Sequence, residues 1–246
     1  MSGFYTRPNS FPPIVKNLVI INVLVYLAQI IFASSYHLTE RLIMYPIVPE
    51  RLFQIAVENG IIGTEQRFKP YQVFTHMFSH APPPMIFHIL FNMFGLWMFG
   101  RVLENVWGSK RFLFFYLACG LGAVLAHLGM QYFRADEILH EIETTRILDE
   151  GQLLGALSGA LGASGAIMGI FAGFAYLFPN THLYIMLIPF PIKAKWAVLG
   201  LIAIDLFGGF SNSPGDNIAH FAHLGGAITG FIIVLIWNKT QRRTLY

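Results

Sequence analysis

The run from Leu157 to Phe178, LSGALGASGAIMGIFAGFAYLF, decides how the rest of the chain is read. It is apolar enough to be membrane-embedded, yet it holds Gly162-Ala163-Ser164-Gly165, a hydroxyl with bare backbone around it. On a surface loop such a serine would say little. Inside a bilayer it sits where water is scarce and polar groups need internal partners. Near the other end of the chain, Ala222-His223-Leu224-Gly225-Gly226 places a histidine in a similar setting. Serine and histidine together in a membrane are either a packing arrangement or a protease.

The composition agrees with a membrane setting. Of 246 residues, 55% are hydrophobic and only 12% charged, against the ~25% charge usual in soluble domains. The mean hydropathy is +0.56. The net charge of +3 gives no reason to expect nucleic acid as a partner. A single cysteine, Cys119, excludes an internal disulfide framework and a cysteine-based zinc cluster. No metal or cofactor is expected: His76 and His80 are spaced i,i+4, but no nearby carboxylate completes a zinc triad. The first apolar run reads as a retained span rather than a cleaved leader.

Six runs approach the ~20 apolar residues that a span requires: 18–33, 85–101, 112–133, 157–178, 196–210 and 217–237. The predicted fold is therefore an all-α, polytopic membrane protein. Residues 18–237 form one domain, flanked by a short segment 1–17 and a tail 238–246. The fifth run is short and contains Asp205, which is either solvated or placed to orient a histidine.

Lys and Arg in the connecting loops set orientation. Arg7, Lys16, Arg101, Lys110, Arg111, Lys193, Lys195, Lys239, Arg242 and Arg243 fall on one side, with Glu104 as the acidic exception. Segment 134–156, on the other side, carries Asp136, Glu137, Glu141, Glu143, Asp149 and Glu150. Both termini are expected to be cytoplasmic. Loop 34–84 is too long for a simple connector, and part of it is expected to form short interfacial helices.

If the fourth span enters near Leu157, Ser164 lies ~7 residues in, or roughly 10 Å at 1.5 Å per residue. If the sixth enters near Asn217 from the same side, His223 reaches roughly 9 Å. His88 and Asn92, near the outer end of the second span, share a helical face at i,i+4. Gly162, Gly165, Gly169 and Gly173 of the fourth span, with Gly226 and Gly230 of the sixth, are small residues that let helices approach closely. A lone intramembrane serine often bonds its own backbone, and glycines alone are ordinary packing. An intramembrane histidine is a functional candidate by default. His220, one turn outward of His223, is a rival base, and His127 reads as a packing residue.

These residues resemble the rhomboid intramembrane serine proteases. Gly162-Ala163-Ser164-Gly165 is similar to the family's GxSG signature, Ala222-His223-Leu224-Gly225-Gly226-Ala227-Ile228-Thr229-Gly230 to its AHxxGxxxG signature, and His88-Ile89-Leu90-Phe91-Asn92 to its HxxxN element. Gly100-Arg101-Val102-Leu103-Glu104 and Trp107-Gly108-Ser109 look like the family's link between second and third spans. The likeness covers roughly 70–246. It implies a compact bundle of six transmembrane helices in the cell (inner) membrane, with a site opening to the extracytoplasmic side. It implies Ser164 as nucleophile and His223 as base, a dyad without an orienting carboxylate. His88, Asn92 and the Ser164 backbone N–H are the implied oxyanion donors, with Gly162 keeping the backbone open beside them. Substrates would be other transmembrane proteins in the lipid bilayer, and the fifth span with outer loop 211–216 would be the moving part.

Three features depart from the family's pattern. Met168 stands where many relatives carry an aromatic residue against the histidine. Tyr71-Gln72 stands where many carry Trp-Arg. Ala81-Pro82-Pro83-Pro84 lengthens the approach to His88. Two other classes compete: a proteolytically inactive rhomboid-like protein that binds membrane clients, and a transporter. The transporter would need polar residues across the full bilayer, whereas here they cluster at one end.

Overall fold

The computed structural model describes residues 9–184, 189–211 and 219–240. Within them the helices are α1 (Pro13–Ile31), α2 (Ala33–Tyr36), α3 (Leu38–Leu42), α4 (Glu50–Glu58), α5 (Gln72–Thr75) and α6 (Ile86–Gly95). They continue with α7 (Arg101–Trp107), α8 (Ser109–Thr145), α9 (Glu150–Leu157), α10 (Ser164–Leu177), α11 (Ala194–Ser211) and α12 (His220–Thr240). A π-helical turn, Leu96–Gly100, joins α6 to α7 in one rod. Among the described residues the strands are β1 (His182–Leu183) and β2 (Ile192–Lys193), an antiparallel pair leading into α11. Arg7, Arg242, Arg243 and the expected loop from 212 onward lie outside the described residues.

The chain is an all-α polytopic membrane fold. Among the described residues, four helices are long and apolar enough to cross a membrane: α1, the rod Ile86–Trp107, α8 and α12. α10 is apolar but has only 14 residues, and α11 has 18, including Lys195 and Asp205. These six rods correspond to the six expected runs, with α8, α10 and α12 packed at the centre and α11 against α10 and α12.

Two boundaries differ from expectation in ways that matter. The fourth helix does not start near Leu157. α9 ends there, residues 158–163 are non-helical, and α10 begins at Ser164 itself. A depth for Ser164 derived from seven residues of helical rise is therefore incorrect: an apolar loop and an apolar helix look alike to hydropathy. The third helix runs to Thr145 rather than ending near 133. Its 37 residues span about 55 Å at 1.5 Å per residue, well beyond a ~30 Å hydrocarbon core.

The projecting end of α8 has a reason to stay helical. Ala135, Ile138, Leu139 and Ile142 share one face at three- and four-residue spacing. They pack with buried Leu52, Phe53 and Ala56 of α4 and Leu153 and Leu157 of α9. Asp149 caps α9 by accepting from the Gln152 N–H at 3.0 Å, which satisfies one orphan donor of the first turn. Arg67 closes the edge of this cap, bonding both Glu50 carboxylate oxygens at 2.7 and 2.8 Å and lying 3.8 Å above the Phe53 ring. Loop 34–84 does form short helices, and its α4 packs on protein rather than standing alone.

At the opposite end, Glu104 explains its own exception to the charge pattern. It is 2% exposed, and its two oxygens accept the N–H groups of Ile14 and Val15 at 2.9 and 2.8 Å. A carboxylate from α7 thus satisfies the open N-terminus of α1, where charge and helix dipole also attract.

The centre of the bundle is held by backbone proximity. A Cβ placed on Gly230 would lie 2.6 Å from the Gly169 carbonyl oxygen, and one on Gly169 would lie 2.9 Å from that of Gly226. A Cβ on Gly225 would lie 2.6 Å from the Gly122 carbonyl oxygen of α8. No side chain larger than hydrogen fits there without moving a helix, as the small-residue spacing predicts.

Candidate active site

Ser164 heads α10, so its backbone lies among the first N–H groups of a helix, which lack intrahelical partners. Two contacts shape the loop just before it. Met44, from loop 34–84, pairs with Ala160 through N–H···O bonds of 2.9 and 2.8 Å. The Gly162 N–H donates to the His76 carbonyl at 2.8 Å. Gly162 has φ +114°, and a Cβ there would meet His88 Nε2 at 2.9 Å. Glycine is required twice, for the left-handed backbone and for the room it leaves the imidazole.

His223 comes from the first turn of α12. Its Nε2 lies 2.8 Å from Ser164 Oγ. Its Nδ1 lies 3.0 Å from Asp205 Oδ1. A carboxylate only accepts, so Nδ1 carries the proton and Nε2 is free to accept from the serine hydroxyl. The expected pairing of serine and histidine is thus present as geometry, at the distance proton transfer needs. The resemblance implies a dyad with no orienting carboxylate, whereas α11 brings Asp205 within hydrogen-bond distance of the histidine; of the two readings left open for Asp205, it is buried rather than solvated. His220, the rival base, also faces Asp205, with Nδ1 2.8 Å from the same Oδ1.

His88 sits beside the pair, its Nε2 over Gly162 and its Nδ1 accepting from the Ala81 N–H at 3.2 Å. The long Ala81–Pro84 approach therefore still delivers His88 to the site. Asn92 is buried, and its amide donates to the His88 carbonyl at 2.7 Å. In this state Asn92 supports the backbone that carries His88. His80 is fully buried and packs edge-on to His88, ring centres 5.2 Å apart. Gln29 of α1 clamps the His80 backbone, donating to its carbonyl at 3.0 Å and accepting from its N–H at 2.9 Å.

The departures find local explanations. Gln72 is buried and accepts from the Lys69 N–H at 2.9 Å, which fixes the turn that positions His76. Met168 packs with Ala172 and Ala227, flanked by Phe171 and Ile202. His127 is buried on α8, in keeping with packing. Among the described residues, no group of three His, Cys, Asp or Glu side chains is arranged to hold a metal ion. A small pocket adjoins Ser164, lined by Met77, Gly120, Ala123, Val124, Ala160 and Ala166 among others.

A family model for the Rhomboid domain matches residues 67–239. The chain belongs to the rhomboid family. It is 29% identical over 231 residues to rhomboid protease AarA of Providencia stuartii, covering 89% of this chain and 70% of AarA. It is 30% identical over 171 residues to the human presenilin-associated rhomboid-like protein, mitochondrial, covering 67% of this chain and 38% of that protein. It is 28% identical over 171 residues to the mitochondrial Rhomboid protein 1 of Saccharomyces cerevisiae, covering 68% of this chain and 43% of the other. The chain thus spans most of AarA but only about two fifths of the mitochondrial rhomboids. The family is a polytopic helical membrane fold that includes serine proteases, and the matched region contains the serine, both histidine motifs and the glycine-packed centre.

Proposed function

We propose that this rhomboid is an intramembrane serine endopeptidase that cuts other membrane proteins within or near their transmembrane segments. The observation that carries the reading is the 2.8 Å contact between Ser164 Oγ and His223 Nε2, made where an apolar helix begins. Ser164 Oγ attacks the scissile carbonyl carbon while its proton passes to His223 Nε2. The C–N bond then breaks as His223 returns that proton to the leaving amine. Water, deprotonated by the same nitrogen, hydrolyses the acyl-enzyme and restores the serine.

Negative charge on the carbonyl oxygen needs donors already in place. The N–H groups at the head of α10 and the His88 side chain are the nearest groups of that kind. Asn92 joins them after turning its amide from the His88 carbonyl, and Gly162 leaves the approach open. The helices of this protease domain run from Pro13 to Thr240, a few residues beyond the expected 18–237 at each end. The positive charge of the connecting segments supports cytoplasmic termini in a bacterial inner membrane and a site opening on the other side.

The test uses liposomes containing the protein and a reporter with one transmembrane helix carrying Gly and Pro near its outer end. Wild type is expected to release the reporter's outer tag, and Ser164→Ala and His223→Ala to release none. Equal release by Ser164→Ala would overturn the reading.

A further inference from the structure

The expected dyad leaves one strong feature of the molecule unused. Asp205 lies in the middle of an apolar helix, α11, and is 6% exposed. A carboxylate in such a place persists where it is paired. Its partners are two histidines of the next helix, and both bond through the same atom: Oδ1 accepts from His220 Nδ1 at 2.8 Å and from His223 Nδ1 at 3.0 Å.

The surrounding sequence is shaped for this contact. Gly208 stands one turn beyond Asp205 on α11, and a Cβ there would run into the His220 ring, with Cδ2 at 2.9 Å. A Cβ on Gly209 would meet the Phe221 ring at 3.0 Å. Arg134 of α8 donates to the Gly209 carbonyl and lies 5.3 Å from the Phe221 ring centre. The two glycines let α12 lie close to α11, and the arginine holds the end of α11 in register. Three helices therefore set the position of one carboxylate oxygen.

We infer that Asp205 is the positioning residue of this active site, holding His223 through Nδ1 so that Nε2 faces Ser164, with His220 as a second donor anchoring the carboxylate. The inference rests on the Ser164–His223 reading above. An imidazole with no partner at Nδ1 can place its proton on either nitrogen and turn about its Cβ–Cγ bond. Only the form with the proton on Nδ1 can take one from the serine at Nε2. The carboxylate selects that form, fixes the ring plane and stays ionised while His223 carries the transferred proton. No proton moves to Asp205 in the cycle.

His220 cannot replace His223 in this arrangement. Its Nδ1 is engaged by the carboxylate, while it is His223 Nε2 that contacts Ser164 Oγ. Its role is to satisfy the second lone pair of Oδ1 and to stop the carboxylate from swinging away. The polar pair expected from the motifs is thus a four-residue set, drawn from α10, α11 and α12.

The test measures the rate at which a fluorophosphonate probe labels Ser164 in the purified full chain, with thermal unfolding of each variant alongside. This probe needs an activated serine but no substrate helix. Asp205→Ala and Asp205→Asn are expected to label about 10²-fold more slowly, within the range of a lost general-base contribution. Asp205→Glu is expected to recover part of the rate, and His220→Ala to lose less than about tenfold. Asp205→Asn keeps the shape of the side chain, so it decides the matter if the alanine variant fails to fold. ¹⁵N spectra, with the His223 signals assigned through His223→Ala, are expected to show protonated Nδ1 in wild type and mixed protonation in Asp205→Asn. Wild-type labelling rates in Asp205→Asn, with Ser164→Ala unlabelled, would overturn the inference while leaving the nucleophile in place. Labelling that persists in Ser164→Ala would instead overturn the reading beneath it.

Discussion

The centre of the bundle and the cap on the far end of α8 are built by opposite means. In the centre, Gly165, Gly169, Gly226 and Gly230 bring backbone against backbone. In the cap, Leu52, Phe53, Leu153 and Leu157 interlock as side chains around an amphipathic helix end. A side-chain core can relax around a lost methylene, because neighbouring rotamers and loops adjust. A backbone contact has no such freedom, so helix position there is fixed to a fraction of an ångström. The proposed catalysis needs that precision, and the serine and histidine are carried by two helices, α10 and α12, that meet in this way. The cap adjoins the loop before Ser164, which follows directly from α9 and is shaped by the Met44–Ala160 pairing.

The sharpest way to break this contrast is Gly226→Val. The new side chain would displace the Gly165 backbone, pushing α12 from α10 and His223 from Ser164. A displacement of ~1 Å can lower a rate ~10²-fold, and fluorophosphonate labelling is expected to fall at least that far. Leu52→Ala, in the cap, removes a fully buried side chain and is expected to destabilise by roughly 2–5 kcal/mol. Hydrogen exchange should show faster opening of α4 and α9 with little change in the centre. Labelling is expected to fall only a few-fold, through the Met44–Ala160 contact.

The smallest effect belongs to the rim of the cap. Hydrogen bonds from Arg67 and Gln54 hold the Glu50 carboxyl down at about 2, below the ~4.3 of a free glutamate. A depressed value in the folded state adds stability above pH ~4.3 that is lost as pH falls toward about 2. The pair is exposed, so screening keeps its contribution small. Exchange in α4 is expected to quicken slightly across that window in wild type, and the change to be absent in Glu50→Gln.

What the sequence disclosed follows the same division. The small-residue stripes of α10 and α12 were legible because spacing along a helix maps directly onto a face; Ser164 and His223 stood out as polar groups in apolar runs, and Gly162, which lies in the loop before α10, only through the family resemblance. The start of α10 was not, because residues 157–163 are as apolar as the helix they precede. The end of α8 was hidden for the converse reason: Asp136, Glu137, Glu141 and Glu143 make an amphipathic helix look like a loop. Asp205 stood out in the sequence but could not be assigned there between solvation and a contact with a histidine. It lies 18 residues from His223 on another helix, and only the packing register of α11 against α12 aims it. The signal available was a lone carboxylate in an apolar run, together with Gly208-Gly209 one turn on.

The proposed activation of Ser164 by His223 leaves a covalent record. Its most direct test is to react the purified full chain with a fluorophosphonate, digest it and locate the adduct by mass spectrometry. One phosphonyl group is expected on Ser164, formed in wild type, reduced to background in His223→Ala and absent from Ser164→Ala. An adduct on another residue, or on Ser164 at an undiminished rate in His223→Ala, would contradict it.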